Sequence, residues 1–193
     1  MTSNINHNQM PIIEYDFSKN KFSQIDSYIN SLKLQNLQNE ENLQSSLNTI
    51  VTKFIPTPVE FSEPKITDHR EIQKHFNSSY ENPFGGNQTV YIVTVIFEFS
   101  GSPELFKFRP SSYSHGNSYP NIFQPYSNTI EIEVELLKLD KNLILGEAHN
   151  KIRMTKEFVE YNNSFIRNWQ ANAIAYIEKK VHDQKIILES LYS

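Results

Sequence analysis

Residues 142–191, NLILGEAHNKIRMTKEFVEYNNSFIRNWQANAIAYIEKKVHDQKIILESL, decide the fold, because their pattern predicts one amphipathic helix of about 50 residues. One seam recurs at steps of three and four, with Thr155, Asn162 and Gln184 as its polar positions. Its apolar or small residues are Leu145, Ala148, Ile152, Val159, Ile166, Trp169, Ala173, Ile177, Val181, Leu188 and Leu191. We interpret such a helix as a packing and assembly element, comparable to one strand of a coiled coil, and not as a catalytic one.

The two halves of this helix differ in the width of their apolar surface. A second apolar stripe widens the first half only: Met154, Phe158, Tyr161 and Phe165. One stripe suffices for one neighbour, whereas two stripes imply contacts on two sides. We therefore expect the helix up to about Trp169 to pack on its own sheet, and the part beyond Ala173 to be available to a protein partner or a second copy.

The predicted partner interface follows the seam of this helix. Trp169 is of the residue type that often dominates binding energy at interfaces. A buried asparagine at a seam position can fix register or the choice of partner, which makes Asn162 a candidate for specificity. The full predicted set is Asn162, Ile166, Trp169, Ile177, Val181 and Leu188.

Two stretches before the helix predict strands with different surroundings. Residues 90–99 are β-branched and aromatic and are apolar on both faces, which is typical of a central strand covered on both sides. Residues 128–137 alternate apolar residues with Glu131, Glu133 and Glu135, which predicts a half-exposed strand with one acidic face. The fold class we predict is α+β, a small antiparallel sheet with N-terminal helices and one long C-terminal helix.

The first half of the chain predicts helices and irregular segments. Residues 23–54 repeat apolar residues at helical spacing, and the Asn-, Gln- and Glu-rich stretch 34–42 favours a division into two helices. Three shorter predictions are a strand or docking segment at 12–17, a helix at 69–76 and a return strand at Leu105, Phe106 and Phe108. Accordingly, we divide the chain into a flexible N-terminal segment 1–22, a helical and irregular region 23–82, and the sheet plus long helix, 83–193.

Composition narrows the classes of protein. The 38% hydrophobic content fits a globular protein, and the net charge of −4 offers no basic footprint for sequence-independent binding of nucleic acid. The absence of cysteine excludes disulfides, thiolate zinc sites and a cysteine nucleophile. We see neither a signal peptide nor an apolar run of membrane length, and therefore expect a soluble, cytoplasmic protein without a membrane contact.

No residue group has the spacing of a catalytic motif or a metal site, so we expect a non-enzymatic protein without a cofactor. Glu131, Glu133 and Glu135 could bind a metal ion in a divergent nuclease, but a solvated sheet face explains their alternation. The loop after residue 108 is more suggestive, because Arg109, Tyr113 and His115 could bind the phosphate or base of a small ligand. A hydrogen-bonded loop at a strand end is the structural alternative.

Residues 97–111, FEFSGSPELFKFRPS, resemble a strand-turn-strand signature, F-x-G-x-x-x-L-F-x-x-x-P-S, of uncharacterised bacterial proteins, some from phage-defence loci. Residues 158–165, FVEYNNSF, are similar to the long helix of the same proteins, and the resemblance covers about the last 100 residues. In those proteins the region is often joined to an effector such as a nuclease or a TIR domain. The resemblance implies a scaffold, sensor or regulatory partner of a separately encoded effector, and supplies no catalytic residue.

Two functions are therefore expected from the sequence. The first is a non-enzymatic assembly or regulatory subunit of a bacterial complex that acts through its long helix. The resemblance implies that this complex takes part in antiviral defence. The alternative is a small-ligand or nucleotide-binding sensor that uses Arg109, Tyr113 and His115.

Overall fold

A computed structural model describes residues 3–6, 10–77, 86–112 and 121–192. The strands and α-helices are, in chain order, β1 (Ser3–Asn6), α1 (Ser18–Asn30), α2 (Glu40–Phe54), β2 (Glu60–Phe61), β3 (Lys65–Phe76), β4 (Gly86–Ser100), β5 (Asn121–Gln124), β6 (Thr129–Leu136) and α3 (Lys141–Tyr192). A π-helical turn, Ile13–Phe17, leads into α1, and 3-10 helices cover Leu34–Asn36 and Pro103–Lys107. The predicted α+β class is confirmed.

Helix α3 has 52 residues, so it is about 78 Å long and its bounds match the predicted 142–191 closely. It begins where Asp140 caps it, because the carboxylate accepts hydrogen bonds from the backbone N–H groups of Asn142 and Leu143, at 3.0 and 3.2 Å. A helix of this length packs against two parts of the same chain: its first half contacts the sheet, and its second half contacts α1 and α2.

Strand β4 is the central strand of an antiparallel sheet, between β3 on one edge and β6 on the other. Its inner face is buried together with that of β6 against the first half of α3, through Val93, Val95, Phe97, Ile130, Ile132 and Val134. The outer face of β4 is half-buried at Ile92, Thr94 and Ile96. The prediction that residues 90–99 are covered on both sides is therefore wrong for the outer face, whereas the half-exposed strand at 128–137 is confirmed.

Two of the short predictions are wrong. Residues 69–76 form part of strand β3 and not a helix, because they pair with β4 over the whole stretch. Pairing with a neighbouring strand overrides the weak local preference that suggested a helix. The return strand predicted at Leu105, Phe106 and Phe108 is instead the 3-10 helix Pro103–Lys107, whose first turn begins with a proline that fixes a helical φ and needs no N–H partner.

The N-terminal region is integrated into the fold. Helices α1 and α2 confirm the helical prediction for 23–54, although α1 begins earlier, at Ser18. Residues 12–17 dock as a helical turn whose Ile13 and Phe17 are fully buried. The segment predicted as flexible, 1–22, thus contains core residues, and the boundary at residue 83 divides the hairpin that β3 and β4 form.

Candidate interaction surfaces

The predicted partner interface on α3 is covered by the chain itself. Asn162, Ile166, Trp169, Ile177 and Val181 are all buried, and Leu188 is partly buried. Beyond residue 173 the cover comes from α1, α2 and the segment between them, which form a second core with α3 through Ile25, Ile29, Leu37, Ile50 and Phe54. The prediction that this whole half of the helix is open to a partner is therefore wrong, because its seam is used for packing within the chain.

The asparagines in the middle of α3 bind backbone groups of irregular segments. Asn163 accepts a hydrogen bond from the N–H of Val59 and donates one to its carbonyl, both at 2.8 Å. Asn162 donates to the carbonyls of Leu105 and Phe108 at 2.8 and 3.0 Å. Asn162 thus holds a segment of its own chain in place, and the role we predicted for it in partner choice has no support from its contacts.

Of the predicted ligand-binding residues, only Arg109 lies within the described residues; Tyr113 and His115 lie outside them. The Nε of Arg109 donates to the carbonyl of Met10 at 3.2 Å. Its backbone also pairs with the N-terminal segment, through Pro11 and Ile13, at 3.0 Å each. These contacts give Arg109 a structural role, which is to join the N-terminal segment to the start of the loop.

A carboxylate, Glu14, lies at the base of this loop, where a phosphate was the expected ligand. Glu14 accepts hydrogen bonds from the hydroxyl of Tyr161, from the Ser111 hydroxyl at 2.8 Å and from the Ser111 N–H at 3.1 Å. Partial burial alone would raise the pKa of Glu14, but the hydrogen bonds from Tyr161 and Ser111 outweigh it and lower this pKa. The hydrogen bond to Glu14 is also the largest cause of the raised pKa of Tyr161. An ionised carboxylate at this position repels a phosphate and occupies the donors of Ser111, so the described contacts do not favour the sensor alternative.

The glutamates on the outer face of β6 pair with cations from β3. Arg70 lies 2.9 Å from Glu133, and Lys74 forms an ion pair with Glu135. Because the four side chains are about half exposed, each pair contributes little to stability, roughly 0–1 kcal/mol. Within the described ranges, no group of three or more His, Asp or Glu side chains could hold a metal ion. The sequence did not reveal these pairs because β3 was not predicted as a strand.

The last turns of α3 expose apolar side chains. Ile186, Ile187 and Leu191 are exposed to 53%, 52% and 70%. At about 100° per residue these three fall within an arc of roughly 140° on the helix surface. Leu188, one residue further around, packs on the second core. The exposed arc is therefore continuous with the seam that holds α1 and α2.

A scan against protein-family models, a search of curated proteins and a search of solved structures each returned no match. None of the helices in the part of the chain that the structure describes has an apolar stretch long enough to span a membrane.

Proposed function

We propose that this protein is a non-enzymatic assembly subunit that binds a second copy of itself through the C-terminal end of α3. The observation that carries the proposal is the exposed arc of Ile186, Ile187 and Leu191 on a helix whose seam is otherwise buried from Ile144 to Val181. Single apolar residues on a surface need no explanation, but a contiguous apolar patch is a feature of interaction sites.

The size of the patch fits a weak dimer. These side chains are 52–70% exposed in the monomer, so burying the exposed part of three from each copy would contribute roughly 5–10 kcal/mol, at about 1.5–3 kcal/mol per fully exposed side chain. Association costs about 4–15 kcal/mol in lost translational and rotational freedom. The gain and the cost are of similar size, so a dimer formed through this patch would be weak and would leave the folded monomer intact.

A two-fold axis through the patch would bring the same three apolar side chains of each copy together. Lys185 and Glu189 form an ion pair, 3.9 Å apart at their charged atoms, on the face of the helix away from Ile187, because a step of two residues turns about 200° around the helix. This ion pair would therefore stay outside the contact.

In the proposed setting, the dimer acts as a regulatory or scaffold subunit beside a separately encoded effector in a bacterial complex. The antiviral part of this setting rests on the resemblance of residues 97–111 and 158–165 alone.

Light scattering across a concentration series tests the proposal. The mass of the wild type should rise from monomer towards dimer, whereas Ile187→Glu should stay monomeric with an unchanged melting temperature. Asn172→Glu is the matched control, because it adds the same charge at an exposed position of the same helix and should behave like the wild type. A wild type that is monomeric at every concentration, or an Ile187→Glu variant that associates like the wild type, would contradict the proposal.

A further inference from the structure

Strand β3 presents an open edge. It pairs with β4 along one side, and the described part of the chain places no strand along its other side. At about 3.3 Å per residue its 12 residues extend for about 40 Å, roughly twice the length of an average strand. Open edges of this kind are templates for pairing with another chain.

The alternating hydrogen-bond pattern of the sheet identifies which residues of β3 point their backbone N–H and C=O groups towards the open edge. The N–H of Phe99 donates to the carbonyl of Asn128, so odd-numbered residues of β4 direct their backbone groups towards β6. Val93 is one of them, and His69 lies opposite Val93 in β3, so the backbone groups of His69 point away from β4. The same holds at every second residue further along: Glu71, Gln73 and His75.

At the opposite edge of the sheet, in β6, a side chain from α3 occupies a backbone carbonyl that would otherwise be open to a further strand. Lys151 on α3 donates to the carbonyl of Glu133 at 2.7 Å, on the side of β6 that faces away from β4. A lysine placed at a strand edge is a common means of preventing further pairing. Along β3, the His69 N–H donates to the carboxylate of Asp68 at 2.8 Å, so one backbone donor near the start of the open edge is already occupied.

Strand β3 contributes little to the fold that it borders. None of its residues belongs to the buried clusters, and nearly all of them are exposed, including Ile66 at 39%. The strand is held by its backbone pairing with β4 and by ion pairs of Lys65, Arg70 and Lys74 with glutamates on β4 and β6. A long strand kept in register without burying side chains is available for an interaction.

The charges on the outer face select the kind of strand that fits. Lys65, Arg70 and Lys74 lie along the open edge, and the glutamates that pair with them lie further inside the sheet. Asp68 lies on the same face between Lys65 and Arg70, and its carboxylate accepts the hydrogen bond from the His69 N–H. A strand added beside the later part of β3 would therefore place alternate side chains next to Arg70 and Lys74. Acidic residues at those alternate positions would be favoured, in the same way that Glu133 and Glu135 of β6 pair with Arg70 and Lys74 from within the sheet.

We propose that β3 binds an extended segment of a partner protein by strand addition, and that this segment carries acidic residues at alternate positions. The backbone groups of Glu71, Gln73 and His75 pair with the segment, and the cations of β3 select its charge. This surface is separate from the C-terminal end of α3.

A fluorescent peptide with the sequence of β6, TIEIEVEL, is a suitable probe, and TIKIKVKL is its charge-reversed control. We expect the acidic peptide to bind at least ten times more tightly than the basic one. Gln73→Pro should weaken binding at least tenfold, because it removes an N–H at the open edge without removing a bond to β4. Gln73→Ala loses the same side-chain hydrogen bond to Thr89 but keeps the N–H, so it should bind like the wild type.

Amide hydrogen exchange of the wild-type protein, measured with and without the peptide, tests the same inference without the Gln73→Pro variant, in case that variant does not fold. Bound acidic peptide should slow exchange at Glu71, Gln73 and His75, with little change at Arg70, Ile72 and Lys74, which already pair with β4. Equal binding of both peptides, equal binding to the proline and alanine variants, or no slowing at the edge residues would overturn the inference. Slower exchange at the same amides when the protein is concentrated without peptide would also overturn the inference, since a second copy of the protein would then be pairing with β3. Ile187→Glu should bind the peptide normally, which separates this inference from the proposed dimer.

Discussion

Ile166 and Ile187 are both isoleucines on α3, but Ile166 is completely buried whereas 52% of Ile187 is exposed. Ile166 lies in the middle of the helix, where the chain's own sheet and N-terminal elements cover the seam. Ile187 lies near the end, on a face of the helix that α1 and α2 leave exposed, whereas its neighbour Leu188 packs on the second core. One continuous helix thus has two kinds of surface: its middle holds the fold together, and its end leaves apolar side chains exposed, which is where we propose that assembly takes place.

The largest expected effect comes from placing a charge in the middle of the helix. Ile166→Asp should reduce the free energy of unfolding by about 4 kcal/mol or more, because it leaves an unpaired carboxylate in the core. Ile187→Asp should change it by less than about 0.5 kcal/mol, as expected for a surface position. Urea unfolding of both variants measures the difference. Similar losses in the two variants would remove the distinction between the middle and the end.

A smaller loss is expected at Asn163. Asn163→Ala should cost about 2–4 kcal/mol, because it leaves both backbone groups of Val59 buried without their partner. Asn172→Ala, at an exposed position of the same helix, should be close to neutral. Equal stability of the two variants in chemical denaturation would show that Asn163 does not hold the segment around Val59.

A pH-dependent effect should mark the contact between α3 and α1. The hydroxyl of Tyr176 donates to Asp26 at 2.7 Å, and burial together with this bond raises the pKa of Tyr176 to about 12. The folded state therefore keeps the phenol protonated above the ordinary pKa of about 10, so the stabilisation is complete below pH 10 and is lost as pH rises towards 12.

Tyr176→Phe should lose about 1 kcal/mol at neutral pH and then show a smaller decline in stability than the wild type between pH 10 and 12. Tyr15→Phe, at an exposed position, serves as the control and should follow the wild type. Unfolding free energies measured at several pH values give both results. Parallel curves for wild type and Tyr176→Phe would show that the hydrogen bond to Asp26 does not contribute.

The sequence predicts α3 and β6 well because each has a strict period. Three- and four-residue steps identify the buried seam of α3, and alternating glutamates identify the exposed face of β6. Strand β3 has no such period, because both of its faces are exposed and no apolar alternation is required. Its identity as a strand depends on β4, which no local pattern in residues 65–76 reveals.

The candidate surfaces were harder to predict than the fold. A single apolar stripe has the same spacing whether its neighbour belongs to the same chain or to another, so Ile177 and Val181 could not be assigned to α1 and α2 in advance. Glu14 and Tyr161 are 147 residues apart, and neither forms a motif with Ser111 in the sequence. The exposed edge of β3 follows from register, which is a property of the folded sheet.

The most direct test of the division between middle and end is oxidative cross-linking, which the cysteine-free chain makes simple. Single-cysteine variants Ile187→Cys and Asn172→Cys differ only in their place on α3. We predict that Ile187→Cys forms a covalent dimer readily, because a two-fold axis through the patch places the two copies of this residue close together, and that Asn172→Cys does not. Equal cross-linking of the two variants, or none in either, would contradict the proposal that the end of α3 is the assembly surface.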